Sequence, residues 1–269
     1  MPEHTPGAIL EATGLRKTFG DFTAVDDVSL TLTPGASLAV VGESGSGKTT
    51  TARMIAGLEQ PTTGTILLAG RQPPGPRART TERRRFAQHV QMVFQDPYTS
   101  LDRHQRIGDS ITEVLALHTD LRGSARTARM TELLEQVGLN PQQAISRPRS
   151  LSGGQRQRAA IARALAVQPR LLVLDEAVAA LDVSVQAQIL TLLQDIRRQT
   201  QVAYLFITHD LGVVPHIADE IVVMRQGRVV DRGTTTEVLD RSQHPYTRAL
   251  IDSVPRRGWK PRRRPATPT

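Results

Sequence analysis

The chain has 269 residues and no cysteine, which excludes disulfides, thiolate-held metals and iron–sulfur clusters. No run of roughly 18 apolar residues occurs, so no segment reads as a membrane-spanning helix. Lys and Arg number 34 against 26 Asp and Glu, a formal net charge of +8 that draws the chain toward nucleic acid or an anionic membrane surface.

The opening, Met1-Pro2-Glu3-His4-Thr5-Pro6-Gly7, lacks a basic stretch ahead of an apolar one and does not read as a secretory signal. Residues 9–15, 24–32 and 65–68 read as strands of an antiparallel layer. Between them, Leu38-Ala39-Val40-Val41 reads as a strand buried on both faces. It runs into Gly42-Glu43-Ser44-Gly45-Ser46-Gly47-Lys48-Thr49, which fits G-x-x-x-x-G-K-[ST] at every fixed position, and a helix is expected over 50–58. Glycines let backbone N–H groups curl around phosphate oxygens, and the helix start adds its dipole. Lys48 neutralises terminal phosphates in such a loop, and the Thr49 hydroxyl holds Mg²⁺.

Further along, Arg77, Arg79, Arg83, Arg84 and Arg85 form a basic cluster beside the loop Pro73-Pro74-Gly75-Pro76. Only Lys17, Lys48 and Lys260 are lysines, so the preference for Arg is global and marks no particular phosphate ligand. Residues 90–94 read as an inner strand. The stretch 96–150 changes character: 111–118 and 125–137 have helical pattern, Gly138 closes the second, and no strong strand intervenes. This reads as a helical insertion in an α/β core.

Leu151-Ser152-Gly153-Gly154-Gln155 opens a helix over 155–166 and reads as a second anion-binding helix start, one more than a single nucleotide needs. The strand 171–174 then ends in Asp175-Glu176. Beside a phosphate loop, Asp175 reaches the Mg²⁺ shell and Glu176 polarises a water for in-line attack on a γ-phosphate. A helix over 183–198 places Val185, Ile189, Leu192, Leu193 and Ile196 on one face, and 202–207 is another inner strand. The chain has no internal repeat. Its end carries Arg256, Arg257, Lys260, Arg262, Arg263 and Arg264 among prolines, the composition of a disordered basic tail.

In this order the motifs resemble the ATPase subunits of ABC transporters from about Leu10 to Arg232. Gly42 to Thr49 resembles the Walker A loop, and Leu151 to Gln155 is identical to the LSGGQ signature. Asp175 and Glu176 resemble the Walker B aspartate and the catalytic glutamate. Gln95 resembles the Q-loop glutamine, Asp182 the D-loop aspartate and His209 the switch histidine, and Phe19 stands where the family has an adenine-stacking aromatic. The resemblance implies ATP and Mg²⁺ as ligands. Phe19, Gly42, Ser44, Gly45, Gly47, Lys48, Thr49 and Thr50 would contact the nucleotide of one subunit. Ser152, Gly153, Gly154, Gln155 and Asp182 would serve the nucleotide of a partner in a head-to-tail dimer. Thr49, Gln95 and Asp175 would hold the metal, and Glu176, His209, Gln95 and Lys48 would carry the chemistry. The fold implied is a P-loop NTPase core with a mainly parallel sheet, an N-terminal antiparallel β layer and an inserted α-helical subdomain.

Finer likenesses point to oligopeptide, dipeptide and nickel import ATPases: Phe94-Gln95-Asp96-Pro97-Tyr98-Thr99-Ser100-Leu101, residues 182–190, and His244-Pro245-Tyr246-Thr247-Arg248-Ala249-Leu250. That group commonly has Pro at Ala177 and Ser at Ala179, so a hydroxyl able to bond across the dimer is absent here. The expected organisation is an ATPase domain over 8–240, with its helical subdomain at about 96–150, and a short importer-type segment over 241–269. The expected partners are integral membrane permease subunits, a second ATPase subunit that is a paralogue or a second copy, and indirectly an extracellular substrate-binding protein, with no nucleic acid. The expected place is the cytoplasmic face of the cell membrane. The rival readings are an ABC-type ATPase acting on nucleic acid or ribosomes, and an exporter ATPase.

Overall fold

A computed structural model describes residues 7–253; residues 1–6 and 254–269, including the basic cluster from Arg256 to Arg264, lie outside the described residues. The chain opens with two long antiparallel strands, β1 (Leu10–Phe19) and β2 (Phe22–Leu32), turned by Gly20-Asp21 with Gly20 at φ 57°. β3 (Ser37–Val41) leads into α1 (Lys48–Ile55), and β4 (Thr63–Leu68) returns to pair with β1, completing a three-stranded antiparallel sheet in the order β2-β1-β4.

A second sheet is built around β3. After α2 (Thr80–Ala87) come β5 (Val90–Val93), three helices α3 (Ile107–His118), α4 (Gly123–Gln136) and α5 (Pro141–Ile145), then α6 (Gly153–Leu165) and β6 (Leu171–Asp175). α7 (Val183–Thr200) crosses to β7 (Ala203–Thr208). The hairpin β8 (Glu220–Arg225) and β9 (Arg228–Thr234) precedes α8 (Pro245–Ser253). The order is β5-β6-β7-β3-β8-β9, parallel except for β9.

Burial on both faces explains why the inner strands carry no polar alternation. Along β3, Leu38 and Val40 face the core shared with α1 and the antiparallel sheet, whereas Ala39 and Val41 face the core under the other helices. β7 repeats this, with Tyr204 and Phe206 on the helical side and Ala203, Leu205 and Ile207 on the other. Even the Tyr204 hydroxyl is accommodated: it donates to the Leu193 carbonyl at 2.8 Å, and burial raises its pKa. The fold is the expected one, a mainly parallel core with an antiparallel layer and a helical insertion.

Several boundaries differ from the sequence reading. The helix expected over 50–58 begins at Lys48 and stops at Ile55, because Gly57 turns the chain at φ 73°. Residues 80–87 form α2 despite lacking apolar periodicity, since only Phe86 is buried on it. The Arg cluster lies at and around this helix, and Arg83 is used locally: its Nη2 donates to Pro76 O at 2.8 Å and to Gly75 O at 3.2 Å.

Candidate functional site

The phosphate loop, the Asp175-Glu176 pair and His209 gather at the C-terminal ends of β3, β6 and β7, where parallel strands hand over to loops and helix starts. The loop after β3 is forced into shape by its glycines. Gly42, Gly45 and Gly47 have φ of 154°, 80° and 98°. A Cβ on Gly42 would lie 2.2 Å from Met224 O, and one on Gly47 would lie 2.4 Å from Ala24 O. The loop is therefore walled by β8 and β2, and the turn between β8 and β9 adds a bond from Gly227 N to Ser46 O at 3.0 Å.

Lys48, the first residue of α1, is 4% exposed. Among the described residues its ammonium has no carboxylate within bonding range; it donates to Gly42 O and Glu43 O, both at 2.7 Å, and to Ser46 Oγ at 3.4 Å. Burial pushes its pKa down, against the upward pull of Glu176, Asp175 and Glu43. A buried cation whose partners among the described residues are neutral oxygens is poised for an anion.

Thr49 Oγ1 donates to Asp175 Oδ1 at 3.1 Å across 126 residues of sequence. Asp175 closes β6, is buried, and has its pKa raised by that burial. Glu176 follows at φ 48°, a conformation that non-glycine residues rarely adopt, pinned by its N–H to Ile207 O at 2.9 Å. Its Oε1 lies 3.2 Å from Nδ1 of His209, whose side chain is 53% exposed just past β7. One hydroxyl–carboxylate pair and one carboxylate–imidazole pair thus flank the mouth of the loop. Among the described residues no group of three or more His, Cys, Asp or Glu could hold a metal by itself. A hydroxyl and a single buried carboxylate beside a phosphate cradle suit Mg²⁺, which takes one or two protein ligands together with phosphate oxygens.

Gln95 is exposed two residues beyond β5 and lines a cavity of about 280 Å³ with Tyr98, Gly153, Arg156 and Ala177. The structure thus brings it beside the signature segment. Phe19, 49% exposed, ends β1 with the Lys17 ammonium 4.9 Å from its ring centre. Phe22 pairs with it across the turn and is 63% exposed, a second ring that the sequence reading did not single out. Ser44 is exposed on the loop and Thr50 half-buried on α1.

The signature segment stands apart from the phosphate loop as a helix start. Ser152 Oγ accepts from Gln155 N at 3.3 Å while Gln155 Oε1 accepts from Ser152 N at 3.0 Å, a reciprocal capping box. Gly154 is buried, and a Cβ there would meet Val185 Cγ1 at 2.5 Å, so its small size serves helix packing as well as any ligand. Asp182 caps α7, accepting from Val185 N at 3.0 Å and Ser184 Oγ at 2.7 Å, and these bonds hold its pKa down. Ala177 is buried and Ala179 exposed.

Sequence reasoning passed over the β8–β9 hairpin, whose turn contacts the phosphate loop. The signal was present: Ile221 to Met224 is an apolar run followed by Gln226-Gly227, with φ of 49° and 80°. It took the segment after His244 as a likeness or a helix start with Pro near its first position, and missed that Tyr246 Oη accepts from the phosphate-loop N–H of Glu43 at 3.1 Å.

A family profile described as "ABC transporter" matches residues 25–179, and one described as "Oligopeptide/dipeptide transporter, C-terminal region" matches residues 230–268. The chain is 45% identical over 242 residues to the di/tripeptide transport ATP-binding protein DppF of Pseudomonas aeruginosa, covering 90% of this chain and 74% of that protein. Among solved structures it resembles cbiO1 from Clostridium perfringens, part of the ABC transporter complex cbiONQ (TM-score 0.78, 27% identity, 87% of this chain and 92% of that one). It also resembles the dimeric ATP-binding cassette MJ0796 in a post-hydrolysis state bound to ADP and Pi (TM-score 0.75, 26% identity, 84% of this chain and 98% of that one).

Proposed function

The chain belongs to the ABC transporter ATPases, and from that membership we propose that it hydrolyses ATP to drive a membrane importer whose cargo is peptide. The observation that carries this reading is the meeting of four residues at the strand ends, Thr49 with Asp175 and Glu176 with His209, around a loop whose lysine donates to neutral oxygens. The match of residues 230–268 and the likeness to a di/tripeptide transport ATPase favour peptide as cargo.

The chemistry follows from the side chains. Backbone N–H groups of the loop from Gly45 to Thr49 bind the phosphates, and Lys48 exchanges its carbonyl partners for charged oxygens. Mg²⁺, when bound, would be held by Thr49 and Asp175 and would neutralise charge on the phosphate oxygens, with Gln95 joining only if its loop moves toward them. Glu176 accepts a proton from water as that water's oxygen bonds to the γ-phosphorus, and the bond to the bridging oxygen breaks, leaving ADP and inorganic phosphate. His209, through Nδ1, orients the Glu176 carboxylate.

Ser152, Gly153, Gly154, Gln155 and Asp182 meet no nucleotide of their own subunit in this reading. They serve the second subunit of a head-to-tail dimer, self or paralogue, so that closure depends on the γ-phosphate and opening follows its loss. Ala179 faces outward, where a hydroxyl would have been available to that partner. No described helix is long and apolar enough to cross a membrane. Permease subunits would supply the channel and hold this chain at the cytoplasmic face, with a substrate-binding protein delivering cargo outside. Residues 8–240 form the ATPase unit, with 96–150 as its helical part and 241–269 as the importer-type segment.

The test is ATP turnover in vesicles carrying peptide-permease subunits. Turnover that rises with peptide and its binding protein supports the reading; turnover that ignores peptide but rises with ribosomes or nucleic acid sinks it.

A further inference from the structure

The C-terminal segment reaches the phosphate loop. α8 begins at Pro245, and its second residue, Tyr246, is 8% exposed. The Arg225 guanidinium, at the end of β8, caps the ring 4.8 Å from its centre. The helix is tied down by Thr247 Oγ1 donating to Asp231 Oδ2 at 2.8 Å, with Ser242 Oγ donating to the same oxygen. Held in this way, the Tyr246 hydroxyl accepts the N–H of Glu43 at 3.1 Å.

That N–H belongs to the peptide group joining Gly42 to Glu43, and the carbonyl of the same peptide accepts the Lys48 ammonium at 2.7 Å. The two ends of one amide are therefore fixed from opposite directions, by the tyrosine on one side and the catalytic-loop lysine on the other. Gly42 carries no Cβ to restrain that peptide, and a loop rich in glycine loses much entropy on becoming ordered. We propose that Tyr246 is a positioning residue for the phosphate loop: its hydroxyl holds the Gly42–Glu43 peptide, and through it the Lys48 ammonium, in the arrangement that receives a nucleoside di- or triphosphate. The C-terminal segment thereby sets nucleotide affinity. Without the hydroxyl the ring still packs under Arg225, but the loop spends part of its binding energy on becoming ordered.

This inference rests on the phosphate-loop reading, and one titration separates the two. Mg·ADP is titrated calorimetrically into the full chain and into Tyr246→Phe, and basal ATP turnover of both is followed against ATP concentration. Loss of one hydrogen bond to the loop raises the Kd for ADP and the KM for ATP about fivefold. Turnover at saturating ATP stays within about twofold, since the reacting groups are untouched. Equal or tighter ADP binding by Tyr246→Phe overturns the inference. So does a fall in saturating turnover at unchanged KM, or weakened binding accompanied by a thermal midpoint lower by more than about 8 °C, the mark of a general loss of structure. Failure of the unsubstituted chain to bind ADP overturns the phosphate-loop reading itself.

Discussion

Gly47→Ala is the sharpest probe of the loop's packing, because its neighbour Gly45 supplies an internal reference. Both glycines have positive φ, 98° and 80°, so alanine at either bears the left-handed penalty of roughly 1–2 kcal/mol. Gly45 has open space around its missing Cβ, whereas at Gly47 the new atom would sit 2.4 Å from the Ala24 carbonyl oxygen. That oxygen cannot retreat freely: Val25, the next residue, pairs with Lys17, and Asp26 N bonds Gly227 O at 2.8 Å. Overpacking of this kind adds about 1–3 kcal/mol. Chains of this size lose roughly 2–4 °C of Tm per kcal/mol, so Gly45→Ala is expected to melt about 4 °C lower and Gly47→Ala about 10 °C lower. Scanning calorimetry of both proteins without nucleotide reads the difference. Equal shifts, or a smaller shift for Gly47→Ala, would refute the close approach of β2 to the loop.

Burial holds the Asp175 carboxyl above its ordinary pKa, so the folded chain keeps a proton that the unfolded chain releases. The associated stability is complete below the ordinary carboxylate range and is lost as pH rises through the raised value. Asp175→Asn, which preserves an acceptor for Thr49, should therefore melt higher than the unsubstituted nucleotide-free chain near neutrality, with the advantage shrinking as pH falls through that window. A gap in Tm that does not vary with pH would exclude a raised pKa. Phe19→Ala should weaken ATP binding by about tenfold, the worth of one base stack, and leave tripolyphosphate binding unchanged, whereas Phe22→Ala should alter neither. The opposite pattern would transfer the stacking role to Phe22.

Legibility followed the range over which each feature is encoded. The strand, glycine turn and helix from Leu38 to Ile55 could be read because their cause is local: an apolar run, residues that accept positive φ, and a helix start. The two-faced burial of β6 and β7 was equally visible in their unbroken apolar runs. α2 was not, since one buried phenylalanine leaves no periodic stripe. The capping box of Ser152 and Gln155 was available as S-x-x-Q but was overshadowed by the glycines between them. Contacts such as Tyr246 with Glu43, 203 residues apart, depend on where β9 delivers the chain, and no local pattern announces them. The use of Gly154 as a packing residue for Val185 is likewise a property of two helices meeting.

Phosphate release by Glu176→Gln, measured beside the unsubstituted chain with its membrane subunits at saturating Mg·ATP, asks whether the residues gathered at these strand ends hydrolyse ATP. An amide accepts no proton from water, so turnover should fall by about 10²–10⁴-fold while ADP still binds. Turnover at the unsubstituted rate with glutamine at position 176 would contradict the assignment of the reaction to this site.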